Sequence, residues 1–141
     1  MMNQNPYNQY KETSVQTATP ERLMFMLFDG GIKFLKQAEK HIEDNDLKTA
    51  NEKIKRGQEI VNELMVSLDF DKGGEIAKNL FSLYEYMLNE LIQANIKKDK
   101  DRIARVRNML TEMKETFQQA QKTLKNQKGE AKQAGGVSGK A

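Results

Sequence analysis

Apolar residues recur along most of the chain at alternating steps of three and four, which is the spacing of one face of an α-helix. Residues 47–68 and 103–124 keep this spacing without a break. Residues 77–94 carry the same period, and residues 19–43 carry a broader version of it. The pattern therefore predicts four helices of about 20 to 25 residues, each roughly 30 to 37 Å long.

Short polar residues mark where these helices begin and end. Thr19 can cap the free amides of the first helix, and Pro20 suits its first position. Asp46 can cap the second helix in the same way. Residues 71–74, Asp-Lys-Gly-Gly, predict a turn before the third helix. Residues 97–101 form a polar connection in which an aspartate can cap the fourth helix.

Connections this short force consecutive helices to run antiparallel. The predicted fold is therefore all-α, an up-down-up-down antiparallel four-helix bundle formed by residues 19–125. Residues 1–18 are expected to form an N-terminal arm that packs on the bundle. Residues 126–141 hold almost nothing to bury, which predicts a disordered basic tail. A spectrin-like or coiled-coil dimer is the alternative, but four separate apolar faces favour closure within one chain.

The formal net charge of +3 comes from the end of the chain. Residues 125–141 contain four lysines and one glutamate, a net of +3, so residues 1–124 are neutral. A neutral body lacks the basic surface that nucleic acid requires, and we expect no nucleic-acid partner. The longest apolar run, residues 23–28, is far shorter than the roughly 20 residues of a membrane span. With no signal peptide and no cysteine, the sequence favours a cytoplasmic location without membrane insertion.

Catalytic and metal-binding chemistry has little support in the sequence. His41 is the sole histidine, and Ala38 stands where the Glu-x-x-His element of a di-iron bundle needs its carboxylate. The glycine pair at residues 30–31 lies inside a helix without a phosphate-loop context, so close helix packing explains it better. We therefore expect no enzymatic activity, no metal ion and no cofactor.

The chain carries more apolar residues than the interior of a bundle needs. A wide core would explain any one of them, and single exposed apolar residues are common. A contiguous excess across neighbouring helices instead favours a groove that binds an amphipathic helix of a partner. The candidate partner-binding residues are Tyr7, Tyr10 and Val15 in the arm, Phe25 and Ile32 in the first helix, Ile60, Leu64 and Met65 in the second, and Phe81, Tyr84, Met87, Leu88 and Ile92 in the third. Tyr84 and Met87 fit the core as well as they fit a groove.

An ordered series of short motifs over residues 5–120 resembles the FliS family of flagellar secretion chaperones. The motifs are Asn5-Pro6-Tyr7, Tyr10, Val15, Thr17-Ala18-Thr19-Pro20-Glu21, Leu23, Met26-Leu27-Phe28-Asp29-Gly30, Asn51-Glu52, Ile60, Glu63-Leu64, Leu68, Leu83-Tyr84, Tyr86-Met87 and Ala94-Asn95. Three positions depart from the family pattern: Phe28 replaces the usual Tyr, Phe117 replaces a frequent Trp, and Gly57 replaces a frequent Ala.

The resemblance implies an antiparallel four-helix bundle whose N-terminal arm covers part of its surface. It implies, as the partner, the C-terminal helical region of flagellin, which is kept from polymerising in the cytoplasm until the flagellar type III export apparatus receives it. The export gate would then be a second partner, and the protein would be a monomer or a weak homodimer. The alternative function is a self-associating helical-bundle adaptor or structural protein.

Overall fold

The computed structural model describes the backbone of residues 19–140 and the side chains of residues 19–129. All regular structure in this part of the chain is helical. The four helices are α1 (Pro20–Glu43), α2 (Leu47–Val66), α3 (Phe70–Lys97) and α4 (Lys100–Lys140). The all-α prediction and its four helices are confirmed.

The predicted aspartate and threonine caps hold the helix N-termini. The Thr19 hydroxyl accepts a hydrogen bond from the Arg22 amide at 3.2 Å, and Asp46 accepts from the Thr49 amide at 3.3 Å. Asp99 accepts from the Arg102 amide at 3.3 Å at the start of α4. Each cap satisfies an amide that has no partner within its own helix. Local chemistry therefore fixes where three of the four helices begin.

The start of α3 differs from the prediction. The predicted break lies at Gly74, but it is preceded by one helical turn that begins at Phe70 and is capped by Asp69. The helix is interrupted at Gly74, whose φ of 50° and ψ of −125° lie outside the helical region. Glycine adopts this conformation readily because it has no Cβ. Gly74 therefore makes a kink inside α3.

Each helix packs against two neighbours, in the cyclic order α1, α2, α3, α4 and back to α1. Asn51, near the start of α2, accepts a hydrogen bond from Asn95, near the end of α3, at 2.7 Å. Arg107, near the start of α4, donates to Glu39, near the end of α1, at 3.1 Å. Contacts between the start of one helix and the end of its neighbour show that these pairs run antiparallel, as predicted.

The interior is filled from all four helices. Its buried members are Leu27, Phe28, Leu35, Ala38, Ile54, Ile60, Val61, Leu64, Tyr84, Met87, Leu91, Ala94, Ile103, Val106 and Leu110. Two glycines allow close approach of the helices around it. A Cβ at Gly31 would lie 3.2 Å from side-chain atoms of both Ile60 and Leu110, and one at Gly57 would lie 2.6 Å from the Leu35 side chain. Close packing is therefore the role of these two glycines.

The two aromatic departures from the family pattern meet each other inside the bundle. The rings of Phe28 and Phe117 have centroids 5.8 Å apart and planes tilted by 52°. Phe28 is fully buried, whereas Phe117 is half-buried against the core. Tilted rings at this separation attract through their quadrupoles. The contact between α1 and α4 at this level is therefore made by two rings without polar atoms.

The division of the chain into arm, bundle and tail stays a prediction. The predicted arm lies outside the described residues, as do the side chains beyond Gly129. The backbone of α4 continues as a helix to Lys140, past residue 125 where the sequence-based boundary of the bundle was drawn. Lys, Gln and Ala have high helix propensity, which favours this extension. In the described part of the chain, no helix combines the length and apolar character needed to cross a bilayer.

Candidate partner-binding surface

Two rows of side chains run along α3 at steps of seven residues, and each row faces a different neighbour. Phe81 and Leu88 share a row with Asn95, which hydrogen-bonds to α2. Leu83 shares the other row with Glu90, which binds arginines of α4. Seven residues make about two helical turns, so the members of a row lie on one side of the helix. Phe81 and Leu88 therefore lie on the α2 side of α3, and Leu83 lies on the α4 side.

On α2, Met65 occupies a position that matches this row. Met65 is fourteen residues after Asn51, and Phe81 is fourteen residues before Asn95. Equal steps from the Asn51–Asn95 bond reach equal heights on antiparallel helices. Met65 therefore lies at the level of Phe81. We call Met65, Phe81, Leu88 and Ile92 the α2–α3 surface; its first three members are half-buried, and Ile92 is 43% exposed.

Further apolar side chains are exposed at the two ends of the α2–α3 surface. Val66 and Phe70 lie at one end, on either side of the α2–α3 connection, with 68% and 46% of their surface exposed. Leu47 and Ile96 lie at the other end, with 43% and 71% exposed. The set of candidate residues from the sequence left these four out. All four lie at or next to a helix end, where the neighbouring helix no longer covers an apolar residue. Apolar residues at the predicted helix ends are the sequence signal that could have identified them.

Four of the predicted partner-binding residues lie in the core instead. Ile60, Leu64, Tyr84 and Met87 each expose 2% of their surface or less. Ile60 packs toward α1, where it lies next to Gly31. Burial of Tyr84 raises the pKa of its hydroxyl to about 12, because the phenolate would lose its hydration. The α2–α3 surface therefore contains four of the eight predicted residues of these two helices, Met65, Phe81, Leu88 and Ile92.

The remaining predicted residues are separate from this surface. Phe25 and Ile32 lie on α1, which packs against α2 and α4, and both are half-buried. Ile32 packs against the core. Tyr7, Tyr10 and Val15 lie outside the described residues.

The α4 side of α3 combines apolar side chains with a compact ionic cluster. Glu90 accepts from Arg102 at 2.9 Å and from Arg105 at 2.7 Å, and its side chain is only 12% exposed. The hydrogen bond from Arg105 to Glu90 raises the pKa of this arginine. Leu83 and Tyr86 are exposed nearby, by 40% and 44%. A partner on this side would meet charged groups that are already paired with each other.

Comparison with known proteins gives a consistent result over most of the chain. Residues 2–124 match the family model for flagellar protein FliS. The flagellar secretion chaperone FliS of Bacillus subtilis is 38% identical over 117 residues, which cover 83% of this chain and 86% of that protein. The FliS chaperone of Salmonella typhimurium is 38% identical over 109 residues, covering 77% and 81% of the two chains. That of Campylobacter jejuni is 32% identical over 119 residues, covering 84% and 93%.

Proposed function

Since this chain belongs to the FliS family, whose members above are named flagellar secretion chaperones, we propose that it binds the C-terminal helical region of flagellin in the cytoplasm. Binding would keep flagellin from polymerising early, and the complex would then reach the flagellar type III export apparatus. Flagellin is called the client below. Chaperone action of this kind needs a binding surface and no catalytic group.

The client docks, in this proposal, on the α2–α3 surface. The observation that supports this placement is the row of half-buried apolar side chains beside exposed Ile92, which α2 and α3 cover only in part. Phe81 and Ile92 are eleven residues apart, about 16 Å along the helix at 1.5 Å per residue. An amphipathic client helix presents apolar side chains at positions i, i+3 or i+4, and i+7 over a similar length. The row therefore fits about three turns of such a helix.

The α2–α3 surface itself consists of apolar side chains. Asn95 of α3 donates a side-chain hydrogen bond to Asn51 of α2, and this bond lies at the end of the row that contains Phe81 and Leu88. By contrast, the α4 side of α3 is crossed by the arginines bound to Glu90. A client helix on the α2 side would thus cover apolar area without removing paired charges from water. Burying charges costs free energy unless their pairing is kept.

The N-terminal arm has a proposed role as a cover for the bundle. Tyr7, Tyr10 and Val15 are its apolar anchors in an otherwise polar stretch. They would pack on apolar residues of the bundle and compete with the client for part of that area. Phe25 and Ile32, on α1, are candidates for contact with the arm or with a second segment of the client. Loss of residues 1–16 should then change client affinity, and an unchanged affinity would argue against this role.

The central experiment is isothermal titration of the full chain with a synthetic peptide that spans the flagellin C-terminal helical region. We expect saturable binding at one peptide per chain and no heat with a scrambled peptide of the same composition. Absence of binding to the correct peptide would overturn the proposed function. Addition of the protein at equal concentration should also suppress flagellin polymerisation in a sedimentation assay. A size that grows with concentration in light scattering, without peptide binding, would favour the self-associating adaptor.

A further inference from the structure

The aromatic ring of Phe70, the first residue of α3, lies against one end of the α2–α3 surface. The rings of Phe70 and Phe81 have centroids 5.9 Å apart and planes tilted by 59°, an attractive arrangement for two aromatic rings. Phe70 keeps 46% of its surface exposed and is not a member of the buried core. Its ring therefore packs against Phe81 while staying partly exposed to solvent, outside the interior.

The segment that carries this ring is one helical turn, Phe70 to Gly73, which we call the Phe70 flap. Asp69 holds the turn at its start, because its side chain accepts from the Lys72 amide at 3.0 Å and its carbonyl accepts from the Gly73 amide at 2.8 Å. The non-helical conformation of Gly74 separates the flap from the rest of α3. The flap is therefore a local unit with its own hydrogen bonds.

Gly74 has the properties of a hinge. Its φ of 50° and ψ of −125° are accessible to glycine and strained for residues with a Cβ. A Cβ at this position would meet no atom within 4 Å, so no side chain packs against Gly74 on that side. The neighbouring apolar side chains, Val66 and Ile76, are each 68% exposed and do not clamp the flap. Rotation at one residue could thus move Phe70 while the core stays in place.

We propose that Phe70 competes with the client for Phe81: the flap is closed in the free protein and swings away about Gly74 when a client helix docks. This inference rests on the proposed function, since it concerns the same surface. The occupant that replaces the Phe70 ring is a large apolar side chain, aromatic or aliphatic, of an amphipathic client helix. Its position in the client sets the end of the docked segment, because the flap lies at the end of the row.

Competition by the flap sets how tightly the client binds. When only the open state accepts the ligand, the apparent dissociation constant equals the intrinsic one divided by the open fraction. Removal of the Phe70 ring should raise the open fraction and tighten binding. A tilted ring pair is strong enough to change the apparent dissociation constant of the client by about threefold to tenfold.

Titration of the full chain with the synthetic flagellin C-terminal peptide tests this idea through two unrelated changes. Phe70→Ala removes the competing ring, and Gly74→Ala disfavours the backbone conformation that closes the flap. Both variants should bind about threefold to tenfold more tightly than the unmodified chain. Ile76→Ala is the matched control, because it removes an exposed apolar side chain beyond the hinge and should leave affinity unchanged.

The titration gives different results if the flap proposal fails and if the proposed function fails. If the unmodified chain binds and Phe70→Ala binds more weakly or equally, then Phe70 is a client contact or a bystander, and the flap is overturned. If the unmodified chain does not bind the peptide, the proposed function itself fails and this inference fails with it. Circular dichroism of each variant confirms that helical content is unchanged before affinities are compared.

A tryptophan reporter gives a second measurement that does not depend on affinity. The chain contains no tryptophan, so Phe70→Trp introduces a single fluorophore at the flap. With a peptide that also lacks tryptophan, binding should increase acrylamide quenching and shift emission to the red, because the ring moves into water. Lower quenching in the complex would mean that the client buries position 70, which would overturn the flap.

Discussion

The two sides of α3 solve the same packing problem with different chemistry. On the α4 side, Glu90 is held between Arg102 and Arg105, so charged groups close the gap between the helices. On the α2 side, the row that begins at Asn95 continues with Leu88 and Phe81, whose apolar surfaces stay half open. Both sides derive from the same sequence period. The difference indicates that a bundle can close one seam with ion pairs and leave apolar side chains partly exposed along another.

The exposed apolar residues do not by themselves distinguish the two sides. Leu83, on the α4 side, is 40% exposed, almost as much as Ile92 on the α2 side at 43%. The distinction lies in their neighbours: Leu83 shares its row with a bound carboxylate, whereas Leu88 and Phe81 form a continuous apolar row. A binding surface is therefore better identified by the continuity of apolar side chains than by the exposure of any one of them.

The largest expected effect is a loss of stability that distinguishes a core residue of α2 from its neighbour on the α2–α3 surface. Leu64→Ala removes a side chain that is 1% exposed and should lower the free energy of unfolding by about 2 to 5 kcal/mol. Met65→Ala, at the next position on the half-buried surface, should cost clearly less stability and should instead weaken client binding. Urea denaturation and peptide titration of both variants test the contrast. Equal stability losses would show that the two residues are not divided between core and surface.

A paired substitution compares the two sides of α3 directly. Phe81→Asp should weaken peptide binding by about thirtyfold, the effect of losing a hot-spot contact of about 2 kcal/mol. Leu83→Asp introduces the same charge two residues away, on the α4 side, and should leave affinity within about twofold of the unmodified chain. Circular dichroism serves as the folding control for both variants. Similar losses for both would place the client across α3, not on its α2 side alone.

The ionic cluster on the α4 side should affect stability and not binding. Glu90→Gln keeps the size of the side chain but removes the charge that Arg102 and Arg105 share. We expect a loss of about 1 kcal/mol in the free energy of unfolding, because the pair is only partly shielded from water. Peptide affinity should not change. A weakened affinity with intact stability would assign this cluster to the client instead of to the seam.

The smallest expected effect is a pH dependence at the end of the bundle where α1 meets α4. Lys100 donates a hydrogen bond to Glu43 at 2.8 Å and lowers the pKa of this carboxyl below its usual 4.5. A carboxyl whose pKa is lower in the folded state contributes stability above the unfolded pKa and loses it as the pH falls through the folded one. Stability should therefore decline below about pH 4.5.

Denaturation across this pH range measures the contribution of the Glu43–Lys100 pair. Glu43→Gln has no carboxyl to titrate, so its stability should depend less on pH in the same window. Hydrogen bonds from Thr49 lower the pKa of the Asp46 carboxyl from the usual 3.8. Asp46 should therefore add a similar pH dependence of stability at lower pH. An identical pH profile for Glu43→Gln and the unmodified chain would contradict the assignment to Glu43.

Much of the fold followed from short-range sequence signals. Thr19, Asp46 and the aspartate at position 99 cap their helices as predicted, because capping needs only a side-chain oxygen two or three residues before a free amide. The unbroken apolar periods likewise identified the interior faces of α2 and α4. The start of α3 also has a local cause, because Asp69 caps a helical turn ahead of the glycine pair. The sequence prediction relied on the glycine pair and did not consider this cap.

The tertiary structure decided which apolar residues face the solvent. Ile60 and Met65 were both predicted to bind a partner, yet Ile60 packs next to Gly31 of α1 and is fully buried, whereas Met65 is half-buried. In the same way, Tyr84 is buried in the core, whereas Phe81 is only half-buried. A helical period defines positions around one helix axis, but the rotation of that helix against its neighbours is fixed by contacts between residues far apart in sequence. The sequence by itself therefore determined the helices and their apolar faces, and packing alone determined which edge of each face stayed exposed to solvent.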